Sequence, residues 1–255
     1  MGTLGVASVA AAGTAIAPKV SYAATKGARY AMVIDTRRCS GCHACSVSCK
    51  SEYDVPLGGV RSWVEYVEYG DYPDVKRGFL PRLCNQCGAP PCVDVCPIKG
   101  ATYKRESDGI VVVNDDLCNG CAKCVTACPY DARFMNPTKG DPSLTKGVGV
   151  ADKCDFCLHR IEKGVAPACV NTCPGRARVF GDLNDPDSEV KKLVQGNKTV
   201  VLLRDEKTKP RVFYIGADYV TNGGFKDHGT HQQLLTHRLE RSTKRHDNLR
   251  GYRHV

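Results

Sequence analysis

Aromatic residues, long apolar runs and the usual signatures of enzymes are scarce in this chain of 255 residues. Aromatic side chains make up 7% of the sequence and only one residue is tryptophan, so a core built mainly on aromatic packing is excluded. No glycine-rich nucleotide loop and no Ser–His–Asp arrangement in a recognisable context is present, which leaves no visible substrate chemistry. The hydrophobic fraction of 42% is slightly low for a globular protein, and a core this lean needs another source of order.

Cysteine is absent from the first 38 and the last 82 residues, yet sixteen cysteines lie between them. They form four sets of four: set one in CSGCHACSVSC (39–49), set two in CNQCGAPPCVDVCP (84–97), set three in CNGCAKCVTACP (118–129) and set four in CDFCLHRIEKGVAPACVNTCP (154–174).

Disulfides and zinc are the two ordinary explanations for so many cysteines. Disulfides fail because neighbours such as Cys39, Cys42 and Cys45 are too close in the chain to bridge conveniently. Structural zinc sites usually combine two separated pairs of ligands, a pattern that set four alone could match. Sets one and three do not match it, because each places three cysteines within seven residues.

The spacing C-x2-C-x2-C-x3-C-P is typical of bacterial ferredoxins, in which the fourth cysteine of a run binds the other of two clusters. Thiolates are soft ligands that suit iron–sulfur clusters. Sixteen cysteines at four per cluster predict four 4Fe-4S clusters, and sixteen bonds to iron would supply the order that the lean core lacks.

Lys50 follows set one, where the other three sets end in proline. A poorly solvated positive charge beside a cluster would favour its reduced state, so Lys50 is a candidate for tuning the reduction potential. The alternatives are a solvated lysine or one that docks a partner.

The gaps between sets predict how they pair. Cys96 and Cys118 are separated by 22 positions, the shortest gap, so sets two and three are expected to form one two-cluster domain. Sets one and four then form a second domain, into which the first is inserted. The predicted fold is α+β, with two interleaved bacterial-ferredoxin-like domains, β-hairpin insertions and an irregular C-terminal tail. The expected divisions are an export-signal remnant at 1–24, an outer domain at 29–80 and 146–190, an inserted domain at 81–145, a hairpin extension at 191–224 and a basic, His-rich tail at 225–255.

Alternating residues predict strands at 30–35 and 109–113, and a further strand in ARVFGDL after set four. Hairpins are expected within 53–80, between sets two and three, and at 199–216, with short helical turns after most cysteine sets. His43 and His159 lie near cysteines and are expected to be surface residues or neighbours of cluster ligands.

Both ends of the chain differ from its centre. Residues 3–17 are uncharged and Ala/Gly-rich, too short for a membrane span, and are followed by SYA (21–23), which resembles a signal-peptidase site. A basic segment, such as a twin arginine, is therefore expected upstream, the alternative being an ordinary flexible terminus. The tail is basic, yet no aromatic platform or recognition motif accompanies its charge, which argues against nucleic-acid binding.

Residues 29–216 resemble the iron–sulfur B subunits of the dimethyl-sulfoxide-reductase superfamily. The resemblance is carried by the four sets, by ADKCDFCLHR (151–160) and by PACVNTCPGRARVFGDLNDPDSE (167–189). RYAMVIDTRRCSGCHACSVSC, LPRLCNQC, DGIVVV, CPYDARFMNP and VFYIG are most similar to tetrathionate reductase B subunits, followed by those of polysulfide and thiosulfate reductases.

The resemblance implies a molybdopterin catalytic subunit as one partner and a polytopic, quinone-handling membrane subunit as the other. It also implies twin-arginine export of the folded protein to the periplasmic face of the membrane. From the residues themselves, no other stretch of the chain is expected to span a membrane. The implied ligand groups are Cys39, Cys42, Cys45 with Cys173; Cys154, Cys157, Cys169 with Cys49; Cys84, Cys87, Cys92 with Cys128; and Cys118, Cys121, Cys124 with Cys96. The rival interpretations are a stand-alone soluble polyferredoxin and a structural zinc protein.

Overall fold

The computed structural model describes residues 27–221. The predicted export-signal remnant (1–24) and the basic tail (225–255) lie outside these residues, as do the last three positions of the predicted hairpin extension (191–224).

The described residues combine short helices with strands in small sheets. The strands are β1 (Tyr30–Asp35), β2 (Ser62–Tyr69), β3 (Lys76–Leu83), β4 (Thr102–Lys104), β5 (Val111–Val113), β6 (Arg133–Asn136), β7 (Val150–Lys153), β8 (Arg178–Asp182), β9 (Thr199–Val200) and β10 (Val212–Ile215). The helices are α1 (Ala44–Glu52), α2 (Pro91–Asp94), α3 (Lys123–Thr126), α4 (Pro142–Thr145), α5 (Leu158–Ile161), α6 (Ala168–Asn171), α7 (Glu189–Gly196) and α8 (Asp218–Thr221), with 3-10 turns at Thr36–Arg38 and Arg204–Glu206.

One structural unit is repeated four times: a strand enters a cysteine set and another strand leaves it. β1 and β2 flank set one, β3 and β4 flank set two, β5 and β6 flank set three, and β7 and β8 flank set four. Each set is therefore held at both ends by extended backbone.

The four units close into a ring through antiparallel strand pairs. The strand that leaves each set pairs with the strand that enters the next, giving the pairs β2 with β3, β4 with β5, and β6 with β7. β8, which leaves set four, pairs with β1, which enters set one. This closing pair of β1 with β8 joins the first unit to the last, although the two strands lie at opposite ends of the cysteine-containing sequence.

β1 is the central element of the largest sheet, whose strand order is β8-β1-β10-β9. It pairs parallel with β10 as well as antiparallel with β8. Its alternate side chains point to opposite faces. Met32 and Ile34 lie in the main core, while Ala31 and Val33 pack with Val190 of α7. β1 is therefore buried on both faces.

Most of the strand predictions are confirmed. β1 has the predicted bounds, the hairpin between sets two and three is β4 with β5, and the hairpin within the 53–80 insertion is β2 with β3. Residues 199–216 contain an antiparallel pair, but only two residues of β9 take part. The prediction of helical turns after the sets is wrong in position. Five helices begin inside the sets (α1, α2, α3, α5 and α6), and in four of them the residues between the third and fourth cysteines complete one helical turn.

Candidate metal centres

All four cysteine sets have the same local backbone geometry. The residue before the second cysteine has a positive φ in every set: Gly41 (70°), Gln86 (45°), Gly120 (73°) and Phe156 (59°). This left-handed residue turns the chain sharply between the first and second cysteines. At Gly41 a side chain is also excluded by space, since an added Cβ would lie 2.4 Å from the Phe79 ring.

The third cysteine of every set is the second residue of a helix. Cys45 occupies this place in α1, Cys92 in α2, Cys124 in α3 and Cys169 in α6. In α1 the fourth cysteine, Cys49, follows one turn later on the same helix. The helices α1 and α6 pack together, as do α2 and α3, so the third cysteines of sets one and four are brought close, and likewise those of sets two and three.

One cavity is lined by three cysteines of set one and the last cysteine of set four. These are Cys39, Cys42, Cys45 and Cys173, with Arg178 at the same cavity. Burial raises the pKa of the Cys39 thiol, and the nearby Cys45 and Cys173 add to that rise.

A second group contains Cys49 with three cysteines of set four. Burial raises the pKa of Cys49, and the neighbouring Cys169 and Cys157 raise it further. Burial likewise raises the pKa of Cys154, to which Cys49 and Cys169 contribute. Burial raises the pKa of Cys157 to about 12.

A third group joins set two to the last cysteine of set three. Burial raises the pKa of Cys87 to about 12, and the nearby Cys84, Cys128 and Cys92 contribute to the rise. Burial raises the pKa of Cys128 to about 11, again with contributions from Cys84 and Cys92. Cys84 also contributes to the raised pKa of Cys154, so the third group lies beside the second.

The remaining cysteines are those of set three and the last of set two. Cys118 and Cys124 are buried in one apolar cluster with Cys92, and Cys118 contributes to the raised pKa of Cys124. Cys121 is exposed, and the half-buried Cys96 has its sulfur 3.4 Å from the Ile98 carbonyl oxygen.

Within residues 27–221, no three His, Cys, Asp or Glu side chains converge closely enough to hold a single metal ion. A 4Fe-4S cluster takes one thiolate at each of its four irons, so its ligands surround a space and do not meet at one point. Only Cys42 and Cys121 are exposed, whereas the other fourteen cysteines are buried or half-buried. Buried and half-buried cysteines fit the ligands of an iron–sulfur cluster, because bonds to iron keep the thiolates deprotonated even where burial would favour the protonated thiol.

Buried arginines face these cysteines, and sequence reasoning missed them. Arg133 and Arg178 are 1% and 2% exposed, and each has an Nη2 atom without a hydrogen-bond partner among the described residues. Burial disfavours the charged form, but the surrounding cysteines raise the pKa of both guanidinium groups. The signal that could have found them is the repeat C-P-x-x-A-R, which occurs at 128–133 and 173–178.

Lys50 is half-buried and holds a loop. Its Nζ donates hydrogen bonds to the carbonyl oxygens of Pro56 (3.0 Å) and Gly59 (2.7 Å), in the segment that follows α1. This contact was not among the expected roles, and potential tuning by Lys50 stays a prediction.

The two histidines near cysteines make side-chain contacts at the protein surface. The His43 ring stacks on Tyr66, with Nε2 3.2 Å from the phenolic oxygen. His159 Nε2 lies 2.6 Å from Glu52 Oε1, which ties α5 to α1. In the part of the chain that the structure describes, no helix has the length and apolarity needed to cross a membrane.

The repeated unit and its buried cysteines define a ferredoxin-like iron–sulfur protein. The profile of the 4Fe-4S dicluster domain family matches residues 75–183. The tetrathionate reductase B subunit of Salmonella typhimurium is 48% identical over 194 residues, covering 74% of this chain and 73% of that protein. The selenate reductase B subunit of Mesobacillus selenatarsenatis is 41% identical, covering 73% and 72%. The arsenate respiratory reductase iron-sulfur subunit of Shewanella sp. is 37% identical, covering 73% and 96%.

The chain therefore belongs to the family of iron–sulfur B subunits of the dimethyl-sulfoxide-reductase superfamily.

Proposed function

We propose that this protein is the electron-transfer subunit of an anaerobic respiratory reductase of the tetrathionate, polysulfide or thiosulfate type. It would relay electrons between a quinone-linked membrane subunit and a molybdopterin catalytic subunit. The observation that carries the proposal is the succession of cysteine groups, in which the two end groups each hold one exposed cysteine, Cys42 or Cys121. The names of the relatives, B subunits of tetrathionate and selenate reductases, support the reductase class.

Four 4Fe-4S clusters are proposed, each held by four cysteines. Cluster I is assigned to Cys39, Cys42, Cys45 and Cys173; cluster II to Cys154, Cys157, Cys169 and Cys49; cluster III to Cys84, Cys87, Cys92 and Cys128; and cluster IV to Cys118, Cys121, Cys124 and Cys96. The cavity and the cysteine groups described above support clusters I to III. The proximity of Cys118 to Cys124 supports cluster IV.

The order of the clusters along the molecule is proposed to be I, II, III, IV. The packing of α1 on α6 supports I beside II, the neighbouring Cys154 and Cys84 support II beside III, and the packing of α2 on α3 supports III beside IV. Bound clusters supply one-electron redox chemistry. The chain contributes the thiolates, the burial that limits water, and the positive charges that offset the negative charge of the clusters.

The nested division of domains is retained in this proposal, with 81–145 inserted between 29–80 and 146–190. The closing pair of β1 with β8 supports it, because that pair joins the two halves of the outer domain around the inserted one.

Metal analysis of the anaerobically purified protein tests the cluster count. The expected content is about sixteen irons with matching acid-labile sulfide, and a broad, spin-coupled EPR spectrum of the reduced protein. A zinc-rich preparation, or iron near eight without labile sulfide, would contradict the proposal.

The rival function is a stand-alone soluble polyferredoxin. Gel filtration of a native anaerobic extract separates the two, since a free carrier elutes near its chain mass of 27.7 kDa. We expect a much larger complex that contains a molybdopterin subunit and a polytopic membrane subunit.

Export by the twin-arginine route to the periplasmic face of the membrane completes the proposal, on the basis of residues 3–23. Cell fractionation with a protease-accessibility assay on spheroplasts tests it. Protection of the folded protein inside intact spheroplasts would contradict periplasmic placement.

A further inference from the structure

Two arginines stand at the same place in two of the four cysteine sets. Arg133 is the fifth residue after Cys128, and Arg178 is the fifth residue after Cys173. Each is the first residue of a strand that leaves its set. Sets one and two have no arginine at this position, so each proposed two-cluster domain contains one such arginine.

Arg178 lies among cysteines assigned to both clusters of the outer domain. It contacts the cavity of cluster I and lowers the pKa of Cys39 against the larger effect of burial. Its charge also opposes the burial-driven rise in the pKa of Cys169, a cluster II cysteine. Cys45 of cluster I and Cys154 of cluster II are among the groups that favour its charged form.

Arg133 has the equivalent position in the inserted domain. Its charge opposes the burial-driven rise in the pKa of Cys92 (cluster III) and of Cys124 (cluster IV). Its Nη1 donates to Thr102 Oγ1 at 3.4 Å, and Thr102 belongs to the strand that leaves set two. Both arginines therefore lie near the third cysteines of the two sets in their domain.

Neither guanidinium has a carboxylate to neutralise it within residues 27–221. The groups that favour the charged form of Arg133 most strongly are cysteines, and those that favour the charged form of Arg178 are cysteines and Tyr214. A buried charge without a partner is strongly unfavourable. Such a charge is stabilised when anionic clusters occupy the groups of cysteines around it, and the unpartnered Nη2 atoms fit hydrogen bonds to cluster sulfurs.

We propose that Arg133 and Arg178 are potential-setting residues, each shared by the two clusters of its own domain. The inference rests on the proposed function, because it takes the four clusters as given. Reduction adds negative charge to a cluster, and a fixed, poorly solvated positive charge nearby stabilises the reduced form and raises the potential. Each arginine thus raises the potentials of two clusters together, Arg178 those of I and II, and Arg133 those of III and IV.

The test is an EPR-monitored redox titration of the complete protein with its clusters, comparing Arg178→Gln and Arg133→Gln. In Arg178→Gln, two of the four potentials should fall by at least about 59 mV, a tenfold change in the one-electron equilibrium. The other two reduction potentials should change by less than a third of that shift. Arg133→Gln should lower the complementary pair, so that each variant is the matched control of the other.

Arg178→Lys and Arg133→Lys keep the positive charge. The two potentials that each arginine sets should therefore lie closer to those of the unmodified protein than to those of the glutamine variant. Where a glutamine variant loses iron, the lysine variant is compared with the unmodified protein. Equal shifts of all four potentials, a shift of one cluster only, or lysine variants as low as the glutamine variants would each overturn the inference. The iron and sulfide contents of the unmodified protein distinguish a failure of the proposed function from a failure of this inference. Sixteen irons with unaltered potentials in the variants defeat this inference alone, and a protein without four clusters defeats the proposed function.

Discussion

Replacing Arg61 with methionine should make the folded, cluster-loaded protein unfold and lose its clusters much faster. Arg61 is 4% exposed, and its Nη2 lies 2.5 Å from Oδ1 of Asp152, which is equally buried. The guanidinium also covers the Tyr53 ring at 3.6 Å from the ring centroid. The arginine therefore ties the start of β2 to β7 and to the residue that follows α1.

The size of the effect follows from burial. Removing one partner of a buried ion pair costs about 3–5 kcal/mol, because the other charge is left without compensation. Asp152 keeps hydrogen bonds from Asn136 Nδ2 (2.9 Å) and from the Lys153 amide (2.7 Å), which places the expected loss near the lower limit. If half of a loss of about 3 kcal/mol lowers the barrier to unfolding, the unfolding rate rises about tenfold.

Loss of the clusters makes unfolding irreversible, so the assay measures a rate. The visible absorption of the clusters is followed after transfer to guanidinium chloride under anaerobic conditions. Lys139→Met is the control. Lys139 and Arg61 line one surface groove, together with Asp115 and Asp152, but the ion pair of Lys139 with Asp115, at 3.3 Å, is more exposed. Such a pair contributes about 0–1 kcal/mol, so its loss should accelerate bleaching about twofold at most.

A second comparison isolates the pairing itself. Asp152→Leu combined with Arg61→Met removes both charges and should recover part of the lost half-life, since a buried pair replaced by apolar groups is often neutral. If Arg61→Met bleaches no faster than Lys139→Met, the buried pair contributes no more than a surface pair and the reasoning is refuted.

Three further predictions concern the cysteine sets. Cys49→Ser should alter the same EPR signal as Cys154→Ser and leave unchanged the signal that Cys42→Ser alters, because the fourth cysteine of a run binds the other cluster. If Cys49→Ser instead alters the signal that Cys42→Ser alters, the assignment is excluded. Lys50→Gln should lower only the potential of the cluster that Cys49 binds, as measured by redox titration, and four unchanged potentials would leave Lys50 with its loop contacts alone. Gly41→Ala should reduce the iron content by about four per chain, because its φ is +70° and the added methyl group would lie 2.4 Å from an aromatic ring carbon; full iron content would show that the turn adapts.

Local patterns predicted local structure well. Alternation predicted a strand at 30–35, just before set one, and β1 has those bounds, although it is buried on both faces. The spacing of cysteines predicted the kind of ligand group, since that spacing is a property of neighbouring residues. The helical turns were misplaced because the spacing x3 between the third and fourth cysteines was not recognised as one turn of helix.

What depends on distant residues was not predictable in the same way. The pairing of β1 with β8 and β10 is set by how the whole ring of units closes, and no local pattern records it. Arg133 and Arg178 share the repeat C-P-x-x-A-R, but the repeat does not show that they are buried, because their burial arises only where two cysteine sets meet. Lys50 stood out in the sequence because the other sets end in proline, but its carbonyl partners lie on a loop whose course the sequence pattern does not specify.

The closing pair of β1 with β8 also has a consequence for the order of synthesis. β1 leaves the ribosome first, but both of its neighbours, β8 and β10, are encoded at the far end of the described region. At roughly 5–20 residues per second, the ~140 residues that separate β1 from β8 take about 7–28 s to translate. Throughout that interval the apolar strand has no partner on either edge. A nascent chain of this kind exposes an aggregation-prone strand until β8 and β10 have been translated, so protection of β1 by a bound chaperone would act before these strands can pair with it.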